Sequence, residues 1–362
     1  MKVILAGGGT SGHIHPAVAI ADELKKQDEK TEVLFCGTQK GLESQIIPSM
    51  GYPFHVIRAS QLPMKLSPKT FRALKEFLAG RKMCRQLIRE QKPDVVVGTG
   101  GFVCSPLIAA AHKEKVPILL HEQNAFPGRS NRLMSRYAGT VCTSFHGMEH
   151  YFNKKAKVVF TGNPIRRAFG NVERTACREK LGLSDETFLI LAMGGSLGAK
   201  TVNESIVAFA RECKDPNVKI ILSVGKQRYK EVAEQAKDWP QSISVFEYIQ
   251  DPEVYMAAAD LFIGRAGAIS CAEIQAVGVP AILIPYPYAA QDHQTFNAKA
   301  FSDVGAGILL PDNEAMQKLP GIVRELIPDK ERLAKMRQAT LSLAIYDASK
   351  RICDEVEALA GR

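Results

Sequence analysis

Two glycine-rich turns carry the residues of this chain best placed to do chemistry. Near the N-terminus the apolar run Lys2–Ala6 enters Gly7-Gly8-Gly9-Thr10-Ser11-Gly12-His13. Past the midpoint Phe188–Met193 enters Gly194-Gly195-Ser196-Leu197-Gly198-Ala199. Each reads as a short buried strand, a turn and a helix start. That arrangement offers backbone N–H groups and the positive end of a helix dipole to an anion, typically a phosphate. His13 closes the first turn. An unperturbed imidazole titrates near ~6.5, so His13 can serve as a general base there, or else cap and pack the helix. His15, just before Pro16, takes the structural role.

Other polar groups sit where apolar runs end. Gly98-Thr99-Gly100-Gly101 forms a further anion-capable loop. His121-Glu122-Gln123-Asn124 closes another strand, either to meet a ligand or to hydrogen-bond within a turn. Gly264-Arg265-Ala266-Gly267 leads a helix carrying Glu273, a carboxylate able to accept from both ribose hydroxyls or simply to favour the helix end. Gln291 to Asn297 supplies amides, which suit sugar hydroxyls because each can donate and accept. No Asp-x-Asp occurs, so a metal-bound nucleoside diphosphate is not signalled.

Gly7-x-Gly9-x-x-Gly12 also matches the dinucleotide fingerprint. That fingerprint needs an acid at the tip of the second strand to hold a ribose. Here Val33-Leu34-Phe35 ends in Cys36-Gly37-Thr38; Glu32 precedes the strand and Glu43 falls in the next helix. A nicotinamide dehydrogenase is therefore the weaker alternative.

The elements that position these groups alternate as strand and helix, which argues for an α/β chain with parallel sheets. Strands are expected near 2–6, 32–36, 94–97, 117–120, 139–142 and 157–160, then near 188–193, 219–223, 243–246, 260–263 and 280–284. Thr161-Gly162-Asn163-Pro164 punctuates the boundary. The expected domains are 1–162, 163–343 and a C-terminal helical segment, 344–362, able to pack back on the first. A length of 362 residues and 46% apolar content suit two globular domains, each with its own core. No apolar run reaches the ~18 residues of a spanning helix, and no signal peptide is expected. The eight cysteines include no C-x-x-C pair and read as buried thiols of a cytoplasmic protein.

Charge is uneven. The first 162 residues hold 23 basic against 12 acidic side chains, the remainder 24 against 26. One half thus faces an anionic partner or surface. With few aromatics and no nucleic-acid motif, that partner is not expected to be nucleic acid.

Taken together, Gly-Gly-Gly-Thr-Ser-Gly-His (7–13), His-Glu-Gln-Asn (121–124), Gly-Asn-Pro-Ile-Arg (162–166), Gly-Gly-Ser-Leu-Gly-Ala (194–199) and Arg-Ala-Gly-Ala…Glu…Gln-x-x-Asn-Ala (265–298) closely resemble one family in order and spacing. It is the MurG family, the undecaprenyldiphospho-muramoylpentapeptide β-N-acetylglucosaminyltransferases, and the resemblance covers essentially the whole chain. It implies the GT-B fold, with two Rossmann-like, doubly wound parallel-sheet domains facing across a cleft. It also implies inverting transfer of GlcNAc from UDP-GlcNAc to the MurNAc 4-hydroxyl of undecaprenyl-diphospho-MurNAc-pentapeptide (lipid I), giving lipid II. No cofactor or metal is implied.

The resemblance makes His13 the base. It sets Thr10, Ser11 and Gly12 beside the donor sugar, and Asn124 and Gln294 on GlcNAc hydroxyls with His293 adjacent. It puts Arg166 and Ser196 on the donor diphosphate, the Ile249 backbone on uracil, Glu273 on the ribose, and Gly100 and Gly101 near the acceptor diphosphate. Phe102 stands where some members have tyrosine. The open alternatives are another GT-B transferase with a different lipid acceptor and a catalytically silent UDP-sugar-binding protein.

The lipid-linked acceptor draws attention to Gln61–Lys92. This segment holds Lys65, Lys69, Arg72, Lys75, Arg81, Lys82, Arg85, Arg89 and Lys92 against Glu76 and Glu90. Interleaved are Leu62, Met64, Leu66, Phe71, Leu74, Phe77 and Leu78. Phe71, Leu74 and Leu78 share one helical face. They are either a core-facing stripe or part of a basic amphipathic patch for peripheral docking on the cytoplasmic face of the cell membrane.

Overall fold

A computed structural model describes residues 1–61, 63, 67–195, 198–236, 239 and 242–362. Contacts divide the chain into two units. One comprises Met1–Ile165 with Asp347–Arg362, the other Arg166–Tyr346.

In the first unit the described residues form a seven-stranded sheet in the order β3-β2-β1-β4-β5-β6-β7, all neighbours parallel. Its strands are β1 (Lys2–Gly7), β2 (Glu32–Gly37), β3 (Phe54–Val56), β4 (Val95–Gly100), β5 (Ile118–Glu122), β6 (Thr140–Thr143) and β7 (Lys157–Phe160). Strands buried on both faces need apolar residues at every position, which is why these segments read as continuous runs. Along β1, Val3 and Leu5 enter one core, while Ile4 and Ala6 enter the other. The first core is closed by the Ser11–Gln27 helix and by Ile352, Cys353 and Val356 of the C-terminal helix Ala348–Leu359. A 2.7 Å Lys157–Glu355 ion pair joins that last helix to β7. The second core lies under the Pro68–Gln91 and Cys104–Lys113 helices.

In the second unit the described residues form a six-stranded parallel sheet, β10-β9-β8-β11-β12-β13. Its strands are β8 (Phe188–Met193), β9 (Val218–Ser223), β10 (Ile243–Phe246), β11 (Leu261–Gly264), β12 (Ala281–Leu283) and β13 (Gly307–Leu309). Each sheet reverses strand order once beside its glycine turn, between β1 and β4 and between β8 and β11. Ligands of open α/β sheets bind at the carboxyl ends of the strands at such reversals. The sequence reading did not include β3 and β13. Both are three-residue sheet-edge strands, too short to show a pattern.

The Pro68–Gln91 helix decides one alternative. Its buried face is Ala73, Gly80, Cys84, Leu87 and Ile88. Phe71, Leu74 and Leu78 are 76%, 50% and 46% exposed. They are not a core-facing stripe. Leu62, Met64, Lys65 and Leu66 lie outside the described residues.

Candidate active site

In the first unit, the ends of β1, β4 and β5 bring together Thr10, Ser11, Gly12, His13, Gly100, Gly101 and Asn124. His13 sits in the first turn of the Ser11–Gln27 helix, partly exposed. Its backbone carbonyl accepts from Thr99 Oγ1 at 2.7 Å, which ties the helix start to β4. Its ring Nδ1 lies 3.0 Å from Gln123 Oε1. A Cβ on Gly100 would stand 2.8 Å from that Nδ1, and one on Gly101 2.1 Å from the Gly8 carbonyl oxygen. Both residues also have positive φ, 109° and 80°, so glycine is needed for the conformation as well as the space. The Gly100 amide points inward onto Cys104 Sγ at 3.2 Å. Gly100 therefore contributes room beside the imidazole rather than an N–H for an anion. The ring of Phe102 lies close over Gly9.

The first glycine turn differs from the anion cradle its sequence suggests. The buried carboxyl of Glu43 accepts from Gly9 N at 3.2 Å, Thr38 N at 3.1 Å and Thr38 Oγ1 at 2.6 Å. A Cβ at Gly8 would come within 2.7 Å of that carboxyl, and one at Gly41 within 2.1 Å. The Gly9 amide is thus committed to an acidic side chain, which also repels a phosphate placed beside it. Glu43 is one of the two acids, with Glu32, that the dinucleotide reading set aside. It serves instead to brace the turn that carries His13.

His121, Glu122 and Gln123 are buried, Asn124 is partly exposed, and the cluster is internally bonded. Glu122 accepts from Asn124 N at 3.1 Å, Asn124 Nδ2 at 3.2 Å, Gly128 N at 3.0 Å and Asn131 Nδ2 at 2.9 Å. One carboxyl so folds the loop that presents Asn124. His121 is fully buried with Nε2 3.1 Å from the Gly162 carbonyl. Burial, with a smaller contribution from His13, lowers its pKa to about 4.

In the second unit, Glu273 lies on the Ala268–Val277 helix that starts beyond β11. Its side chain sits deep enough that burial raises the carboxyl to about 7, while Arg166 opposes the shift and Glu253 adds to it. The residue as a whole keeps part of its surface open. Arg166 is half-exposed and bonds Glu253 at 2.9 Å. Gln294 Oε1 accepts from Tyr286 N at 2.9 Å. A backbone N–H must meet the amide oxygen, so the amide NH2 is the end turned away from Tyr286 N. Asn297 instead serves the fold, donating to the Ala266 carbonyl at 3.0 Å. Ile249 is buried just past β10. Arg265 bonds the Ile284 and Pro285 carbonyls, both at 3.1 Å, and Asp312. Ser196 lies outside the described residues. A few residues further along the chain, Asn203 in the Lys200–Glu212 helix is buried, with neither side-chain polar atom bonded to a described residue.

Sequence reasoning assigned no role to Glu43, Glu122, Gln123, Asn203 or Asp312. Of these, only Glu122 and Gln123 carried a signal, as members of the polar cluster at the tip of β5.

Two family models match the chain: the glycosyltransferase family 28 N-terminal domain over residues 3–143, and the family 28 C-terminal domain over 189–352. A protein of Acetivibrio thermocellus is 40% identical over 360 residues, covering 99% of this chain and 98% of its own. It is named UDP-N-acetylglucosamine–N-acetylmuramyl-(pentapeptide) pyrophosphoryl-undecaprenol N-acetylglucosamine transferase. Among solved structures, Acinetobacter baumannii MurG superimposes with a TM-score of 0.82 at 29% identity, over 99% of both chains. A Neisseria meningitidis UDP-GlcNAc 2-epimerase, solved with UDP-GlcNAc, shares the fold at a TM-score of 0.68 and 14% identity, over 99% of this chain and 100% of its own.

Proposed function

The chain belongs to glycosyltransferase family 28 and has the GT-B fold, and on that premise we propose the reaction it carries out. It transfers GlcNAc from UDP-GlcNAc to the MurNAc 4-hydroxyl of undecaprenyl-diphospho-MurNAc-pentapeptide, with inversion, to give lipid II. What carries this reading is similarity along the whole chain to relatives named for that transfer. The polar groups at the strand ends support it with a division of labour that the chemistry requires.

His13 is the base. Its Nε2 takes the proton of the acceptor hydroxyl as that oxygen attacks the anomeric carbon. The bond to UDP breaks and its electron pair leaves on the β-phosphate. Charge developing there is met by Arg166, which exchanges Glu253 for the diphosphate, by Ser196 and by the N-terminus of the Lys200–Glu212 helix. Glu273 accepts from the ribose hydroxyls, and the Ile249 backbone reads uracil. The Gln294 amide donates to a GlcNAc hydroxyl, with Asn124 on another and Thr10, Ser11 and Gly12 beside the sugar. Gly101 lies near the acceptor diphosphate, and Gly100 leaves room for the base. The test is UDP release from UDP-GlcNAc with and without the lipid-linked acceptor. Release that depends on acceptor is expected. Donor binding without release would move the reading to a different acceptor or to a binding protein.

Ribose hydroxyls donate to Glu273, so binding favours its ionised form, whereas burial holds its carboxyl at about 7 in the free protein. Affinity for UDP-GlcNAc, whose diphosphodiester does not itself titrate in this range, therefore rises with pH. About tenfold is expected between pH 6 and 8, with most of the gain below pH 7. Calorimetry on Glu273→Gln should show weaker and pH-independent binding. A wild-type constant that is flat across this range contradicts the assignment.

The protein docks peripherally on anionic lipid through the Pro68–Gln91 helix. Phe71, Leu74 and Leu78 are exposed on the same helix as the exposed Lys69, Arg72 and Lys75. No helix among the described residues is long and apolar enough to cross a membrane. Each basic residue near an anionic surface is worth ~1 kcal/mol. Changing Lys69, Arg72 and Lys75 together to Glu should lower co-sedimentation with anionic vesicles by more than ~tenfold. Unchanged partition would remove this helix from the account.

A further inference from the structure

We propose that Gln123 and His121 form a neutral hydrogen-bond relay that fixes His13 in its Nδ1–H tautomer and keeps Nε2 as the lone-pair nitrogen. The inference rests on the reading of His13 as base, and it makes Gln123 and His121 positioning residues rather than catalytic ones.

A backbone C=O only accepts. Gln123 places one amide end 2.8 Å from the Thr99 carbonyl oxygen, so that end must be the nitrogen. The other end, 3.0 Å from His13 Nδ1, is then the oxygen. An amide oxygen also only accepts, so the proton between them belongs to His13 Nδ1. The same logic applies to His121. Its Nε2 faces the Gly162 carbonyl at 3.1 Å and therefore carries the hydrogen. Its Nδ1 is left with a lone pair, which receives the second N–H of Gln123 at 2.9 Å, a hydrogen shared with the His121 backbone carbonyl at 3.2 Å. Every proton in the chain Gly162, His121, Gln123, His13 thus has one consistent place.

The relay is rigid because it is buried and framed. His121 and Gln123 are 0% and 1% exposed. Asn163 Nδ2 donates to the Gln123 backbone carbonyl at 2.9 Å, and Ser144 Oγ donates to Asn163 Oδ1 at 2.7 Å. Gly162 and Asn163 thereby acquire a purpose separate from Arg166. Burial keeps His121 neutral, since a second ring proton would point at the Gln123 NH2. The partner of His13 is an amide rather than a carboxylate. It orients the ring and selects its tautomer without adding a negative charge beside it. A histidine side chain free in water favours Nε2–H, so without the relay the proton would spend much of its time on the nitrogen that has to accept one.

Two-bond ¹⁵N–¹H correlation spectra of the full-length, histidine-labelled protein test this directly. His13 is expected with a pyrrole-like Nδ1 and a pyridine-like Nε2, and His121 with the reverse. In Gln123→Met, near in size but without polar atoms, His13 should shift toward Nε2–H. The kcat should fall ~10–100-fold, with KM for UDP-GlcNAc within twofold. A wild-type His13 protonated on Nε2, or an unchanged kcat in Gln123→Met, overturns the relay. If Gln123→Met does not fold, the wild-type spectrum alone decides. If His13→Ala keeps full turnover, the base assignment fails, whatever tautomer the spectrum shows. If His13 is essential but carries Nε2–H, the relay alone fails.

Discussion

Replacing His13 with alanine lowers kcat for GlcNAc transfer about 10²–10⁴-fold, the range expected when a general base is lost. The fold should survive the change. The anchor from Thr99 Oγ1 goes to the His13 backbone carbonyl, which alanine keeps, and the ring itself is partly exposed. Gln123 Oε1 loses its ring partner, so a stability loss of no more than about 1–3 kcal/mol is expected from denaturant unfolding. Affinity for UDP-GlcNAc should change little, because Glu273 and Gln294 are untouched. The pattern that identifies a base is this separation, with kcat falling and donor affinity held. His13→Gln should be as inactive as His13→Ala, since an amide can bond Gln123 but cannot take a proton at neutral pH. Near-normal turnover in either variant would remove His13 from the chemistry.

Glu122→Ala should be the most destabilising single change near the site. The carboxyl accepts four hydrogen bonds, from Asn124 N, Asn124 Nδ2, Gly128 N and Asn131 Nδ2. Glu122 and Asn131 are almost fully buried, so water cannot readily replace the lost partner. Each stranded donor costs about 1–3 kcal/mol, and because they share one partner the costs do not simply add. A loss of about 3–6 kcal/mol in the unfolding transition of the first unit is expected. Glu122→Gln should fall between, since an amide keeps one accepting oxygen but turns an NH2 toward donors. Whatever protein survives should bind UDP-GlcNAc more weakly, because the loop that presents Asn124 loses its centre. A loss under ~1 kcal/mol for Glu122→Ala would mean that the loop is held by something else.

How far the sequence can be read here depends on the range of the interaction. The inner strands were legible because strands buried on both faces leave continuous apolar runs, as in Val95-Val96-Val97. The turn that ends in His13 was legible for the same local reason. Gln123 was visible only as part of a polar cluster. Its role requires the Thr99 and Gly162 carbonyls, 24 residues before Gln123 and 41 beyond His121, together with the hydrogen count at each atom. Glu43 misled the reading because its helix folds back 34 residues in sequence to reach Gly9. A fingerprint of glycines does not reveal which amides are already taken. On the Pro68–Gln91 helix, periodicity found a face but not which face is inside. The buried one is built from small residues such as Ala73 and Gly80, which weigh little in any hydrophobic pattern, while Phe71 lies outside.

The proposed reaction is a single displacement at the anomeric carbon, with His13 taking the proton of the attacking acceptor oxygen. The configuration and linkage of the new glycosidic bond test it most directly. The donor sugar is α-linked to UDP, so NMR of the isolated disaccharide product should show a β-GlcNAc joined to O4 of MurNAc. An α-linked product, or GlcNAc joined at another position, would contradict the account.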